Sequence, residues 1–239
     1  RSEGLESFRL DYADTASILQ AWDETLSRTG GRLDALYNNG AFASPGALED
    51  LPTDALREIF EANVFGWHTL TRRAVKTMRE PGPDGRTAGR IVQCSSVLGF
   101  CTLTYRGAYQ ATKYALEGIS DTLRLELDGT GIEVILIEPG PIESRIRENS
   151  YAHFKRWIRP TGSAHEAMYP KVEARLAAQK VPSKHELGAE AVVDKLIHAL
   201  ESERPHARYY VTRPTYISAY AKRLLSTRMM DRLLLRNSG

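Results

Sequence analysis

The sequence predicts an α/β fold built on a doubly wound parallel sheet, and three observations carry that prediction. Short apolar runs alternate with stretches whose apolar residues fall at helical spacing. The runs end at asparagine, serine or proline-glycine turns. One of them, Ile132 to Ile137 (IEVILI), is apolar at almost every position, as a strand covered on both faces must be. Strand and helix in alternation imply parallel strands joined by right-handed crossovers.

The first predicted element is a short strand, Leu5 to Leu10, running into Asp11. A helix follows over Thr15 to Arg28, with Ile18, Leu19, Trp22 and Leu26 on one side, and Gly30-Gly31 breaks it. Leu33 to Tyr37 reads as a buried strand opening into Asn38-Asn39-Gly40-Ala41. Thr53 is placed to cap a long helix through Phe60, Val64, Leu70 and Val75. The turn-rich stretch Pro81 to Gly89 leads to a strand over Arg90 to Cys94, which ends at Ser95-Ser96.

A helix is expected over Tyr109 to Leu127, stopped by Gly129-Thr130-Gly131 ahead of the IEVILI strand. That strand ends at Pro139-Gly140-Pro141. Ile142 to Lys180 is helical in pattern but irregular. A helix over Gly188 to Ser202, a strand over Ala207 to Thr212 and a last helix over Tyr216 to Leu235 complete the chain.

Composition narrows the function. Of 239 residues, 42% are hydrophobic and 26% charged, an ordinary globular balance, and neither a linker-like stretch nor an internal repeat divides them, so a single domain over 1–239 is expected. Lys+Arg 32 against Asp+Glu 30 leaves +2, which gives no electrostatic case for nucleic acid or an anionic membrane as partner. No run of eighteen apolar residues and no apolar leader after Arg1 occur, so a cytoplasmic location is expected. Cys94 and Cys101 fit neither a disulfide scaffold nor a CxxC site, and six scattered histidines lack metal-site spacing, so no metal is expected.

Tyr109 and Lys113 lie four apart on one predicted helix and so share a face. A phenol titrates near pKa 10, and bringing it to about 7 takes roughly 4 kcal/mol of preferential stabilisation of the phenolate, part of which a neighbouring ammonium supplies. Tyr-x-x-x-Lys alone is a weak signal. Ser96, thirteen residues upstream at the carboxyl end of a strand, where open α/β sheets bind ligands, strengthens it, and Asn63 adds a fourth polar group.

With these residues the chain resembles the short-chain dehydrogenase/reductase family, in particular its hydroxysteroid- and retinol-dehydrogenase-like branch. Tyr109-Gln110-Ala111-Thr112-Lys113 is similar to the family's Tyr-x-x-x-Lys, Ser96 to its active-site serine and Asn63 to the asparagine of its catalytic tetrad. Asn38-Asn39-Gly40-Ala41 resembles the family's Asn-Asn-Ala-Gly turn with its last two residues exchanged. Asp11 matches the acidic residue beside the adenine, and Pro139-Gly140 with Ile142 and Ser144 resembles the segment beside the nicotinamide amide, with serine where threonine is commoner.

The resemblance implies a Rossmann-like fold and a hydride transfer between nicotinamide and a carbonyl or alcohol carbon. Tyr109 would be the general acid or base, Ser96 would polarise the substrate oxygen, Lys113 would bond the nicotinamide ribose and lower the Tyr109 pKa, and Asn63 would position a water. It implies NADP in preference to NAD as cofactor, and a homodimer or homotetramer.

The family's first strand, glycine-rich turn and second strand have no counterpart in these residues, which begin where its third strand would stand. The expectation is a piece of a longer protein; the alternative is a catalytically silent binding or regulatory module that has lost its cofactor. Missing strands would leave an unpaired edge. Residues 143–180, with Tyr151, Phe154, Trp157, Ile158, Met168 and Tyr169, are expected to form a helical lid over a small to medium apolar substrate, steroid- or retinoid-like. The last helix pairs apolar Ile217, Tyr220, Leu224 and Leu225 with basic residues and is expected to pack on the core or a second subunit rather than on a membrane.

Overall fold

A computed structural model describes residues 4–81, 85, 88–178 and 185–237. Residues 82–84 and 86–87 of the turn-rich loop, and 179–180 at the end of the expected lid, lie outside the described residues. Four strands form one all-parallel sheet: β1 (Ala35–Asn38), β2 (Gly89–Cys94), β3 (Ile132–Glu138) and β4 (Arg208–Tyr210), paired in the order β1-β2-β3-β4. Helices cover both faces, giving the Rossmann-like layering that the alternation predicts.

On one face lie α1 (Thr15–Thr29), the rod made by α2 (Thr53–Phe60) and α3 (Gly66–Met78), and α4 (Gly107–Glu126). Ile18 and Trp22 of α1 and Leu70, Ala74 and Met78 of α3 bury against Ile91 of β2 and Val134 of β3. The alternate residues Val92, Ile135 and Ile137 point to the other face, where Ala199 and Leu196 of α7 (Glu190–Glu201) pack. Strand order keeps running one way while the connecting helix changes face, so the crossover from β3 to β4 has the opposite hand to the two before it. This differs from the uniformly right-handed expectation.

Several expected boundaries move for local reasons. Leu5 to Leu10 makes no strand: a strand exists through its ladder, no described strand lies beyond β1, and Leu5 and Phe8 stay exposed. Thr53 is the first helical residue rather than the cap; Pro52 precedes it with no side-chain bond. The long helix is interrupted by one π turn, Glu61–Phe65. The last helix is two helices, α8 (Arg213–Leu224) and α9 (Thr227–Asn237), because Leu225 is extended and Ser226-Thr227 is a favourable helix start. The α8 residues Ile217, Tyr220 and Leu224 remain exposed rather than packed on the core.

Between β3 and α7 run α5 (Ile146–Trp157) and α6 (Tyr169–Ala177). Phe154, Tyr169 and Leu176 from this segment join Ala55 and Ile59 of α2 and Ala108 and Tyr109 of α4 in one apolar cluster. The segment therefore rests on the start of α4.

Candidate active site

Parallel strands bring all their carboxyl ends to one rim, so the turns after β1, β2 and β3 meet there. After β2, Ser95 N–H donates to Ile137 O at 2.8 Å and Val97 N–H to Pro139 O at 2.8 Å, which holds Ser96 against Pro139. The Ser96 hydroxyl accepts from Leu98 N–H at 3.1 Å and lies 3.5 Å from Pro139 O. α4 begins just beyond this turn.

Tyr109 and Lys113 sit on successive turns of α4, and both are buried. Lys113 Nζ donates to Cys94 O at 2.7 Å and stands 4.5 Å from the Trp67 ring centre and 5.5 Å from that of Tyr109. Burial pulls the ammonium down to about 8, with Cys94 and Glu117 opposing it. Burial and the Cys94 thiol push the Tyr109 phenol above its ordinary value, while the Ser96 hydroxyl and the Arg106 guanidinium act the other way. In this state the net movement of Tyr109 is upward rather than the lowering that the Lys113 neighbour implied.

Asn63 lies in the π turn and is fully buried. Its Oδ1 accepts from Phe42 N–H at 3.2 Å, and its Nδ2 donates to Phe42 O at 2.9 Å and to Thr112 Oγ1 at 3.3 Å. Thr112 precedes Lys113, and its hydroxyl donates to Tyr109 O at 2.7 Å. Asn63 thus ties the turn after β1 to the two α4 residues.

The residues expected beside a cofactor divide. Asn38 is buried under α3, with Nδ2 donating to Thr71 Oγ1 at 3.2 Å and Gln93 Oε1 at 3.0 Å, so it braces sheet against helix. Asn39 and Gly40 are exposed and Ala41 half-buried; Gly40 O accepts from Trp67 Nε1 at 2.9 Å. Asp11 is half-buried and accepts from Ala13 N–H at 3.0 Å. Pro139 and Gly140 stand at the rim, where a Cβ on Gly140 would meet the Thr212 and Thr215 hydroxyls. Ile142 bridges to Leu187, and Ser144 is exposed. The structure brings Asn63, Ser96, Tyr109 and Lys113 together; Asp11 and Ser144 remain peripheral.

Three site residues escaped sequence reasoning. Trp67 carried a signal, standing four positions after Asn63. Cys94 contributes through its carbonyl, which no side-chain pattern reveals. Arg106, one turn before Tyr109, had only proximity. A buried ammonium with three donors and one of them on Cys94 O leaves two for hydroxyl oxygens, the donor set a ribose diol needs.

A family model described as short chain dehydrogenase matches residues 2–154. The chain belongs to the short-chain dehydrogenase/reductase family. It is an NAD(P)-dependent oxidoreductase of that family. The dehydrogenase is 40% identical over 233 residues to the uncharacterized oxidoreductase YbbO of Escherichia coli K12, covering 98% of this chain and 78% of that one. It is 31% identical over 229 residues to an NADPH-dependent 3-dehydrocapnine reductase of Ornithobacterium rhinotracheale, covering 93% and 77%. A short-chain dehydrogenase of Streptomyces avermitilis superposes with a TM-score of 0.72 at 26% identity, covering 92% of this chain and 75% of that one.

Proposed function

We propose that this dehydrogenase interconverts a ketone and a secondary alcohol on a small to medium apolar substrate, steroid- or retinoid-like in bulk, with NADPH preferred over NADH. The observation that carries the reading is the convergence of Ser96, Tyr109 and Lys113 where β2 ends and α4 begins. When bound, the nicotinamide cofactor supplies the hydride. In reduction Tyr109 donates the proton to the substrate oxygen; its raised pKa keeps it protonated at neutral pH. Ser96 holds that oxygen, and Lys113 binds the ribose with its two remaining donors. Asn63 holds the turn and α4 in register through Phe42 and Thr112 and orders a water on the proton path. The buried phenol and ammonium support an enzyme over a silent binding module.

Asn39, Gly40 and Ala41, with Pro139, Gly140 and Ile142, line the approach of the cofactor, Asn38 braces that turn from below, and Asp11 and Ser144 stand at its outer edge. The described part of the expected lid, residues 143–178, covers the site of a single domain, supported by the packing of Phe154, Tyr169 and Leu176 around Tyr109. The preference for NADPH is supported by the name of the Ornithobacterium rhinotracheale relative. A cytoplasmic enzyme and a homo-oligomer complete the reading; the exposed stripe of Ile217, Tyr220 and Leu224 is apolar surface that a second subunit would cover. Among the described residues no helix is long and apolar enough to cross a membrane. The test is deuterium transfer from 4-deuterated NADPH to the carbonyl carbon of apolar ketones, read by mass spectrometry. A deuterated alcohol is expected, and cofactor binding without transfer to any ketone contradicts the reading.

A further inference from the structure

A ring stack ties α5, in the segment over the site, to Asn63. His153 of α5 lies face to face on Phe42, the ring centres 3.9 Å apart and the planes 9° from parallel. Phe42 follows the Asn39-Gly40-Ala41 turn, and the Asn63 carboxamide holds both of its main-chain groups, accepting from N–H at 3.2 Å and donating to C=O at 2.9 Å. Asn63 Nδ2 also donates to Thr112 Oγ1 at 3.3 Å, and that hydroxyl donates to Tyr109 O at 2.7 Å. An unbroken series of contacts thus runs from α5 to the tyrosine.

The stack is set by the seat of α5 on α2. Arg156 Nη1 and Trp157 Nε1 donate to the two carboxylate oxygens of Glu58, each at 2.9 Å. His153 lies three and four residues before them and so shares their face of the helix. Its Nδ1 is buried without a hydrogen-bond partner and stands 3.8 Å from Glu58 Oε1, too far for a bond but near enough for the carboxylate to orient the ring. Aromatic pairs favour offset or edge-on arrangements with centres about 4.5–7 Å apart, so a near-parallel pair at 3.9 Å is one that its surroundings press together. Glu58 stands five positions before Asn63 in the same rod, and the contacts therefore close a ring through α5, His153 and Phe42.

Asn63 fixes the main chain of Phe42 but not its ring; the facing imidazole does that. We propose that His153 is a positioning residue for the reaction. With α5 seated on Glu58, its ring holds Phe42, and through Phe42 the Asn63 carboxamide, so that turnover depends on the segment over the site being in place. The proposal rests on the functional reading above, in which Asn63 orders a water on the proton path. A shift of about 1 Å in such a group costs on the order of 100-fold in rate.

The experiment compares His153→Ala, which removes the stack, with His153→Phe, which keeps it. Each is checked for folding by its melting curve, and kcat, KM, NADPH affinity and the solvent deuterium isotope effect on kcat are measured with a ketone that the wild type reduces. His153→Ala is expected to lower kcat about 10- to 100-fold with NADPH affinity unchanged, and to raise the isotope effect because proton delivery becomes slower. His153→Phe is expected to recover most of that loss. His153→Leu, which fills the space without a flat ring, gives the same test if the alanine variant does not fold. In an Asn63→Ala background His153→Ala is expected to add nothing, since two residues acting through one group are not additive.

Full kcat in His153→Ala overturns the proposal, as does a loss confined to KM or an unchanged isotope effect. So does a His153→Phe variant as slow as His153→Ala, or a double variant in which the two losses multiply. Turnover lost in Asn63→Ala beside any of these outcomes leaves the functional reading standing, whereas full turnover in Asn63→Ala overturns the role given to Asn63 and the proposal with it.

Discussion

Lys113 Nζ is anchored on the main-chain carbonyl of Cys94 at 2.7 Å, so the last residue of β2 fixes the ammonium that follows Tyr109 on α4. The two titrating groups of the site move in opposite directions. Burial lowers Lys113 to about 8 and raises Tyr109. As pH rises, the ammonium is therefore lost before the phenol ionises. The kcat/KM for ketone reduction is expected to fall about tenfold per pH unit above pH 8. Between about 8 and 10.5 the unfolded chain holds the Lys113 proton and the folded chain does not, so this group makes stability rise with pH while activity falls. A pH–rate profile and a pH series of urea melts check both; activity rising through that window contradicts the assignment.

Arg208 of β4 gathers three carboxylates: Glu117 and Asp121 of α4 and Glu138 of β3, the Asp121 contacts at 2.7 Å. Glu138 is fully buried, and replacing Arg208 with methionine leaves carboxylates inside without their counter-charge. A loss of about 3–5 kcal/mol at pH 7 is expected for Arg208→Met by chemical denaturation. Burial and the neighbouring Glu117 raise Glu138 above its ordinary value of 4.5. The folded state then binds the proton more tightly, so this contribution to stability declines as pH rises from about 4.5 through the folded value. Glu138→Gln is expected to flatten that decline, and an unchanged slope speaks against it.

Asn63 makes three hydrogen bonds from a fully buried position, two of them to Phe42. Asn63→Ala removes them and strands the Phe42 N–H and C=O, at a cost of about 1–3 kcal/mol. Turnover is expected to fall with it because α4 loses its tie to the turn after β1. Gly66→Ala offers a control in the same rod: its Cβ would collide with the main-chain carbonyl of Tyr12, so a loss of about 1–3 kcal/mol is expected without any change to the site's polar groups. Thermal melts of both variants, with turnover measured on the folded fraction, separate the two effects.

Much of this architecture is legible in the chain because local and tertiary demands agree. The IEVILI run is buried on both faces, and the Asn38, Ser96 and Pro139 turns fall where the parallel strands end. Leu5 to Leu10 misleads because apolar pattern does not supply a ladder partner. The π turn is invisible to a 3.6-residue period, yet it is where Asn63 sits, with Trp67 one turn on. Tyr109, Lys113 and Ser96 are readable because spacing on a helix and a strand end fixes their meeting. Cys94 acts through its backbone carbonyl, so it does not show in a spacing.

The most direct test is Tyr109→Phe, measured by NADPH oxidation with a ketone the wild type reduces and by NADPH titration of the same preparation. The account predicts turnover lowered about 10²- to 10⁴-fold with cofactor affinity nearly unchanged, because the hydroxyl acts mainly in the transition state. Undiminished turnover in the variant contradicts it.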